Sequence, residues 1–70
     1  MTAEQIKTKL ISAGVNNLKQ FGYPEVNSIN ILTDVVYSQF FQSMLEDNKG
    51  KGGKEVDTAI NEILDEIKGN

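Results

Sequence analysis

The most apolar part of the chain is residues 29–45, which read INILTDVVYSQFFQSML. It contains two of the three Phe residues and the only Met after the first residue. We interpret it as the central packing element, with one amphipathic helix on each side of it in sequence. Thr33 and Asp34 interrupt it with a helix-start signal, because their side chains can accept hydrogen bonds from the free N–H groups of a first turn. The pattern predicts a short helical turn near 28–32, a corner, and a longer helix over 34–47, with an unbroken helix from Ser28 as the alternative.

The flanking segments predict two more helices. Thr2–Gln5 fits a capping box, and apolar residues then recur at helical spacing. Gly22 and Pro24 are stop signals, so the first helix is predicted over 3–21. Near the carboxyl end of the chain, a narrow apolar stripe with acidic residues before it predicts a helix over 55–68. The sequence therefore predicts an all-α fold, a small three-helix domain.

The connection before the last helix is predicted from its composition. Residues 48–54 contain three Gly and three Lys, which indicates a flexible loop within a single domain covering 1–70. The loop does not fit a P-loop, because no Ser or Thr follows Lys54. The loop does not fit a calcium loop of the EF-hand type either, because Lys49 and Lys51 would occupy ligand positions and repel the calcium ion. The functional hypothesis that remains for these three lysines is contact with an anion.

The longer central helix carries an apolar stripe that is too wide for a single neighbour. At 3.6 residues per turn the stripe covers roughly half of the circumference. The flanking helices could cover both halves, or one half could face another chain. The stripe consists of Val36, Tyr37, Phe40, Phe41, Met44 and Leu45. The candidate partner interface is Tyr37, Phe41, Met44 and Leu45.

The core prediction draws on all the predicted helices. The predicted core residues are Ile6, Leu10, Leu18, Phe21, Ile31, Leu32, Val36, Phe40, Met44, Ile60, Ile63 and Ile67. If Phe40 lies in the core, Phe40→Ala would lower the free energy of unfolding by about 3–5 kcal/mol. Gly14 lies inside the first helix, where Gly costs up to roughly 1 kcal/mol relative to Ala. Two interpretations remain for Gly14: neutral drift, or close approach of another backbone such as the Phe40–Phe41 helix.

The composition removes most catalytic chemistry. The chain has no His and no Cys, and so lacks the usual general base, the best nucleophile and the commonest metal ligands. Asp34, Glu46 and Asp47 could in principle act as carboxylate acids or bases. Asp34 is more simply explained as a helix cap, and Glu46 and Asp47 as residues of a solvated helix end. A chain of this size leaves little room for a small-molecule site, which needs ~300 Å³ or more. We expect no enzymatic activity, no cofactor, no metal site and no small-molecule substrate.

The charge pattern bears on partners and location. The net charge is −3, with seven Lys and no Arg, and residues 25–48 carry four acids and no Lys. Arg is the preferred residue for reading guanine and gripping phosphate, so its absence argues against sequence-specific DNA binding. Residues 1–18 do not resemble a signal peptide, and no window approaches the ~20 apolar residues of a membrane span. We expect a cytoplasmic protein.

These observations favour a small non-enzymatic protein-interaction or regulatory accessory module. It would self-associate through the central apolar helix or bind a protein partner. The alternative is weak nucleic-acid binding through the Lys/Gly loop together with Lys7, Lys9 and Lys19. A third hypothesis is that the acidic middle of the chain and the last helix bind a basic partner surface.

Overall fold

Four helices make up the computed structural model, which describes residues 1–69. They are α1 (Ala3–Gln20), α2 (Asn30–Thr33), α3 (Val35–Asn48) and α4 (Lys54–Lys68). The described residues form no strand, so the all-α prediction of three main helices and one short turn is confirmed. None of these helices is both long enough and apolar enough to cross a membrane.

Both ends of α1 follow the sequence signals. The Thr2 hydroxyl accepts a hydrogen bond from the Gln5 N–H at 3.2 Å, and the Gln5 side-chain oxygen accepts one from the Thr2 N–H at 3.0 Å. At the other end Gly22 has a φ of 102°, and the Tyr23 N–H donates to the Leu18 carbonyl at 3.1 Å. This is the glycine-terminated ending that the sequence predicted.

A sharp corner separates α2 from α3. The Asp34 backbone is extended, with ψ at 131°, so the two helices cannot be continuous. Its carboxylate accepts hydrogen bonds from the N–H groups of Val36 at 2.9 Å and Tyr37 at 3.2 Å. Asn27 caps the preceding turn, with its side-chain oxygen 2.9 Å from the N–H groups of Ile29 and Asn30. These two caps set the direction in which α3 leaves the corner.

A single hydrophobic cluster joins the four helices. Its buried members are Leu18, Val26, Ile31, Phe41, Leu45, Ile60, Ile63, Leu64 and Ile67. Helix α4 supplies four of these nine residues, so its narrow stripe is buried as its sequence indicates. Val26 joins the cluster from the connector after α1, although no periodic pattern marks it.

The core prediction was right for α4 and wrong for part of α3. Leu18, Ile31 and the three predicted Ile residues of α4 are buried, and Ile6, Leu10, Leu32 and Met44 are half-buried. Phe21, Val36 and Phe40 are exposed instead. On α3 the buried residues are Phe41 and Leu45, and Phe40 lies about 100° away from Phe41 around the helix axis. A stripe this wide does not show which of its residues face the core, because that depends on where the other helices pack.

Gly14 lies where α1 receives a side chain from α3. A Cβ built on Gly14 would stand 2.6 Å from Phe41 Cε1 and 3.0 Å from Ile31 Cδ1. Of the two interpretations of this glycine, a close approach is therefore present, but it comes from the Phe41 ring and not from a backbone. The missing side chain leaves the space that this ring occupies.

Candidate functional site: an aromatic cleft

A cleft of about 380 Å³ opens between the second half of α1 and the middle of α3. We call it the aromatic cleft. It is lined by Gly14, Asn17, Leu18, Phe21, Tyr23, Phe40, Phe41 and Met44. Its size corrects the expectation that so small a chain lacks room for a site of this kind, since binding sites begin at ~300 Å³.

Two lining residues of the aromatic cleft, Tyr23 and Phe40, belong to a cluster of three rings that Tyr37 completes from behind. Tyr23 meets Tyr37 edge-on, with ring centroids 5.7 Å apart and planes at 77°. It also meets Phe40, with centroids 5.6 Å apart and planes at 44°. Each such pair contributes about 0.5–1.5 kcal/mol beyond its buried area. Because Gly22 turns the chain back directly after α1, Tyr23 is held against α3 and fixes the position of Phe40.

Two phenylalanines of the aromatic cleft face solvent. Phe21 is 74% exposed and Phe40 is 48% exposed. Phe21 is the C-cap residue of α1, and Phe40 lies on the part of the α3 stripe that no other helix covers. Large apolar side chains clustered in a surface concavity are the features that mark contact sites for other molecules.

Exposed carboxylates lie on two of the segments that form the aromatic cleft. None of its lining residues is a formal cation or a carboxylic acid. Asp47 follows Phe40 and Met44 at seven and three residues, so all three lie on one side of α3. Glu25 is exposed two residues after Tyr23, and its backbone carbonyl accepts a hydrogen bond from the Asn30 side chain at 3.1 Å. The carboxyl end of α1, which bears partial negative charge, is beside Phe21.

The predicted interface residues of α3 divide into two groups. Met44 lines the aromatic cleft and Tyr37 contacts Tyr23 behind it, and both are half-buried. Phe41 is only 1% exposed and Leu45 is fully buried, which corrects their placement in a partner interface. They pack into the chain's own core. The assignment failed because the two halves of the α3 stripe were exchanged.

Sequence reasoning missed Phe21 and Phe40 as surface residues. Phe21 continues the apolar spacing of α1, which made it a core candidate. However, it follows the last residue of the helix and precedes the glycine that turns the chain. This position after the helix end is a signal that the side chain need not follow the buried face of α1. For Phe40 no comparable local signal exists.

The lysines proposed for anion contact lie in the exposed connection between α3 and α4 and at the start of α4. Lys49, Lys51 and Lys54 are exposed in and after the Lys/Gly loop. The Asp57 carboxylate accepts a hydrogen bond from the Gly50 N–H at 2.8 Å, which connects the loop to α4. Lys7 pairs with Glu66 at 3.7 Å, between α1 and α4. Within residues 1–69, no three carboxylates come together as a potential metal site.

The fold and the cleft together define a small all-α domain with a partly exposed aromatic cleft. No protein-family model matches the chain, and neither the curated proteins nor the solved structures include a significant match to it. The geometry and the chemistry of the aromatic cleft are therefore the features of this chain that bear on its function.

Proposed function

We propose that this protein is a small non-enzymatic interaction module, a regulatory accessory that binds another protein chain through the aromatic cleft. The observation that carries the proposal is the exposure of Phe21 and Phe40 on opposite sides of one concavity. Their exposure costs free energy in a chain this short, because burying the exposed part of either ring would stabilise it by about 1–2 kcal/mol. Contact with a partner recovers that free energy.

The lining of the aromatic cleft supports protein binding over chemistry on a substrate. Its polar side chains are Asn17 and Tyr23, and the remaining lining residues are apolar or glycine. Aromatic rings and a flexible Met side chain are typical of the centre of protein interfaces. The sequence-based expectations of a cytoplasmic location and of no enzymatic activity are part of this proposal.

The nucleic-acid alternative has weaker support. One of the N-terminal lysines proposed to assist the loop, Lys7, already pairs with the Glu66 carboxylate, which would compete with a phosphate for it. The first turn of α4 also places Glu55 and Asp57 beside the loop lysines, where they repel phosphate. If this alternative were correct, the chain would bind a short duplex at low salt, and the affinity would fall steeply as salt is added.

Site-specific photo-cross-linking tests the proposal in the cells that produce the protein. Phe40 is replaced by the photoreactive residue benzoylphenylalanine, and adducts are identified by mass spectrometry. We expect one discrete protein adduct, either a second copy of the chain or another protein. Adding Phe21→Ala to the same chain should remove this adduct, because the opposite wall of the cleft is then missing.

The matched control places the photoreactive residue at Glu62, which is exposed on α4. This position should give no discrete adduct. Equal cross-linking from Glu62 and Phe40 would mean that the aromatic cleft is not the contact surface. The absence of any adduct from Phe40, in a chain that sedimentation shows to be monomeric, would overturn the proposal.

A further inference from the structure

We propose that the occupant of the aromatic cleft is a basic amphipathic helix of a partner protein. It would insert a few large apolar side chains and carry Lys or Arg residues beside them. This inference rests on the proposed function and specifies the chemistry of the partner. Its support comes from the shape of the cleft and from the charges around it.

The shape of the aromatic cleft favours a helical occupant. Two helices, α1 and α3, form its sides, and a helix can lay one apolar face into such a groove. The other common backbone mode adds a strand to a sheet edge, and residues 1–69 contain no sheet. A volume of about 380 Å³ is near the lower limit for binding sites, so it accepts anchor side chains and not a whole segment.

The charges around the aromatic cleft favour a basic occupant. Asp47 lies on the Phe40 side of α3, about 10 Å along the axis from Phe40 at 1.5 Å per residue. Glu25 lies in the connector that carries Tyr23, so exposed carboxylates occur on two of the segments that form the cleft. The carboxyl end of α1 adds partial negative charge beside Phe21.

Two lysines flank the segments that form the cleft in sequence. The lysine closest to Phe21 in sequence is Lys19, in the last turn of α1. A separation of two residues places these side chains about 160° apart around the axis, so Lys19 points away from Phe21. From there the chain has no further cation until Lys49, which follows the end of α3 in extended backbone.

The same charges make a second copy of the chain a poorer occupant. Two-fold dimers bring the same patch of both chains together. Here that would place Asp47 and Glu25 of one copy near those of the other, and each copy has a net charge of −3. Juxtaposed like charges oppose association, whereas a partner with lysines or arginines is attracted and oriented.

Three designed helical peptides test the inference against the full chain. The first has Leu and Phe anchors at helical spacing and Lys on its polar positions. The second keeps the anchors and has Glu in place of Lys, and the third keeps Lys but replaces the anchors by Ala. Binding is followed by fluorescence anisotropy, and backbone amide shifts of Phe21, Phe40 and Met44 report whether the peptide enters the cleft.

We expect the basic anchored peptide to bind about three- to tenfold more tightly than the acidic one, as two exposed ion pairs allow. The difference should shrink in about 0.5 M salt, where the Debye length is only a few Å. The double substitution Glu25→Gln with Asp47→Asn should reduce the difference. The matched control Glu62→Gln with Asp65→Asn removes the same charge from exposed positions of α4 and should leave it unchanged.

Each other outcome overturns the inference in a distinguishable way. Equal binding of the basic and acidic peptides would exclude a charge-selected partner and leave the proposed function intact. Equal binding of the basic peptide without anchors would mean that only surface charge is recognised. A dimer of the chain that is lost in Phe21→Ala would identify a second copy as the occupant. If no peptide binds, the inference is wrong, and the Phe40 cross-link decides the proposed function separately.

Discussion

At Gly14 helix propensity favours an alanine, whereas the packing of the core leaves no room for a side chain. A glycine inside α1 lowers helix stability by roughly 0.5–1 kcal/mol relative to Ala. The Phe41 ring, however, lies where a Cβ would stand, with ring atoms 2.6 and 2.7 Å from that position. A ring fixed in the core cannot move aside as the end of a long side chain can. The packing requirement therefore decides the residue.

Gly14→Ala should destabilise the protein even though it improves the helix. Overpacking a core costs about 1–3 kcal/mol, which exceeds the gain in helix propensity, so we expect a net loss of about 1–2 kcal/mol. Urea unfolding followed by circular dichroism measures this loss.

The matched test combines Gly14→Ala with Phe41→Leu, which removes the ring. In this background the added methyl group should cost less than in the native chain, because the space is free. A stabilising effect of Gly14→Ala in the native chain would show that Phe41 does not occupy the space beside Gly14.

At the scale of the element, α3 has two adjacent apolar faces with different roles. Phe41 and Leu45 face the cluster shared with α1 and α4, while Val36 and Phe40 face solvent. Tyr37 and Met44 lie between the two faces and are half-buried. The stability of the fold and the properties of the aromatic cleft therefore depend on neighbouring residues of one helix.

The two phenylalanines of α3 should differ strongly in their effect on stability. Phe41→Ala should cost about 3–5 kcal/mol, because it leaves a cavity in the core. Phe40→Ala should cost about 1–1.5 kcal/mol, since Phe40 is about half-buried. Thermal unfolding of both variants measures the difference. Where Phe41→Ala does not fold, Phe41→Leu and Phe40→Leu give the same comparison. Equal losses would contradict the orientation of α3.

Local sequence signals were sufficient to predict the helices. The capping box at Thr2, the glycine stop at Gly22 and the cap at Asp34 each act through neighbouring backbone groups, so their effects can be read without knowing the fold. The narrow stripe of α4 has only one possible core face. The three main helices lie within one residue of their predicted bounds, and the short turn begins two residues later than predicted.

The orientation of α3 could not be predicted in the same way. Its stripe is wide enough that a rotation of about 100° still places apolar residues toward the core. The choice depends on the corner at Asp34 and on the space left by Gly14, which are contacts between segments distant in sequence. The aromatic cleft is a consequence of this choice, so its walls were predicted only in part.

At the scale of the whole molecule, the chain depends on one shared core. Its radius of gyration is 11.2 Å, close to the value of about 11 Å expected for a compact domain of this length. The buried cluster takes residues from all four helices. No helix of the described chain has a separate core that would keep it folded when the others unfold.

Unfolding should therefore occur in a single cooperative step. The helical circular dichroism signal reports all the helices, whereas tyrosine fluorescence reports the contact between Tyr23 and Tyr37. The two urea transitions should have the same midpoint, as two-state unfolding requires. Helical signal that persists after the tyrosine transition would show that α4 or α1 unfolds separately.

The two-faced stripe of α3 also has a consequence for evolution. On α3 the exposed residues Val36 and Phe40 are different from the buried residues Phe41 and Leu45, even though the two pairs are neighbours along one helix. Changes at Val36 or Phe40 could therefore alter which partner is chosen while the buried face keeps the fold. A chain of this size could acquire a new binding preference one side chain at a time without first losing its structure.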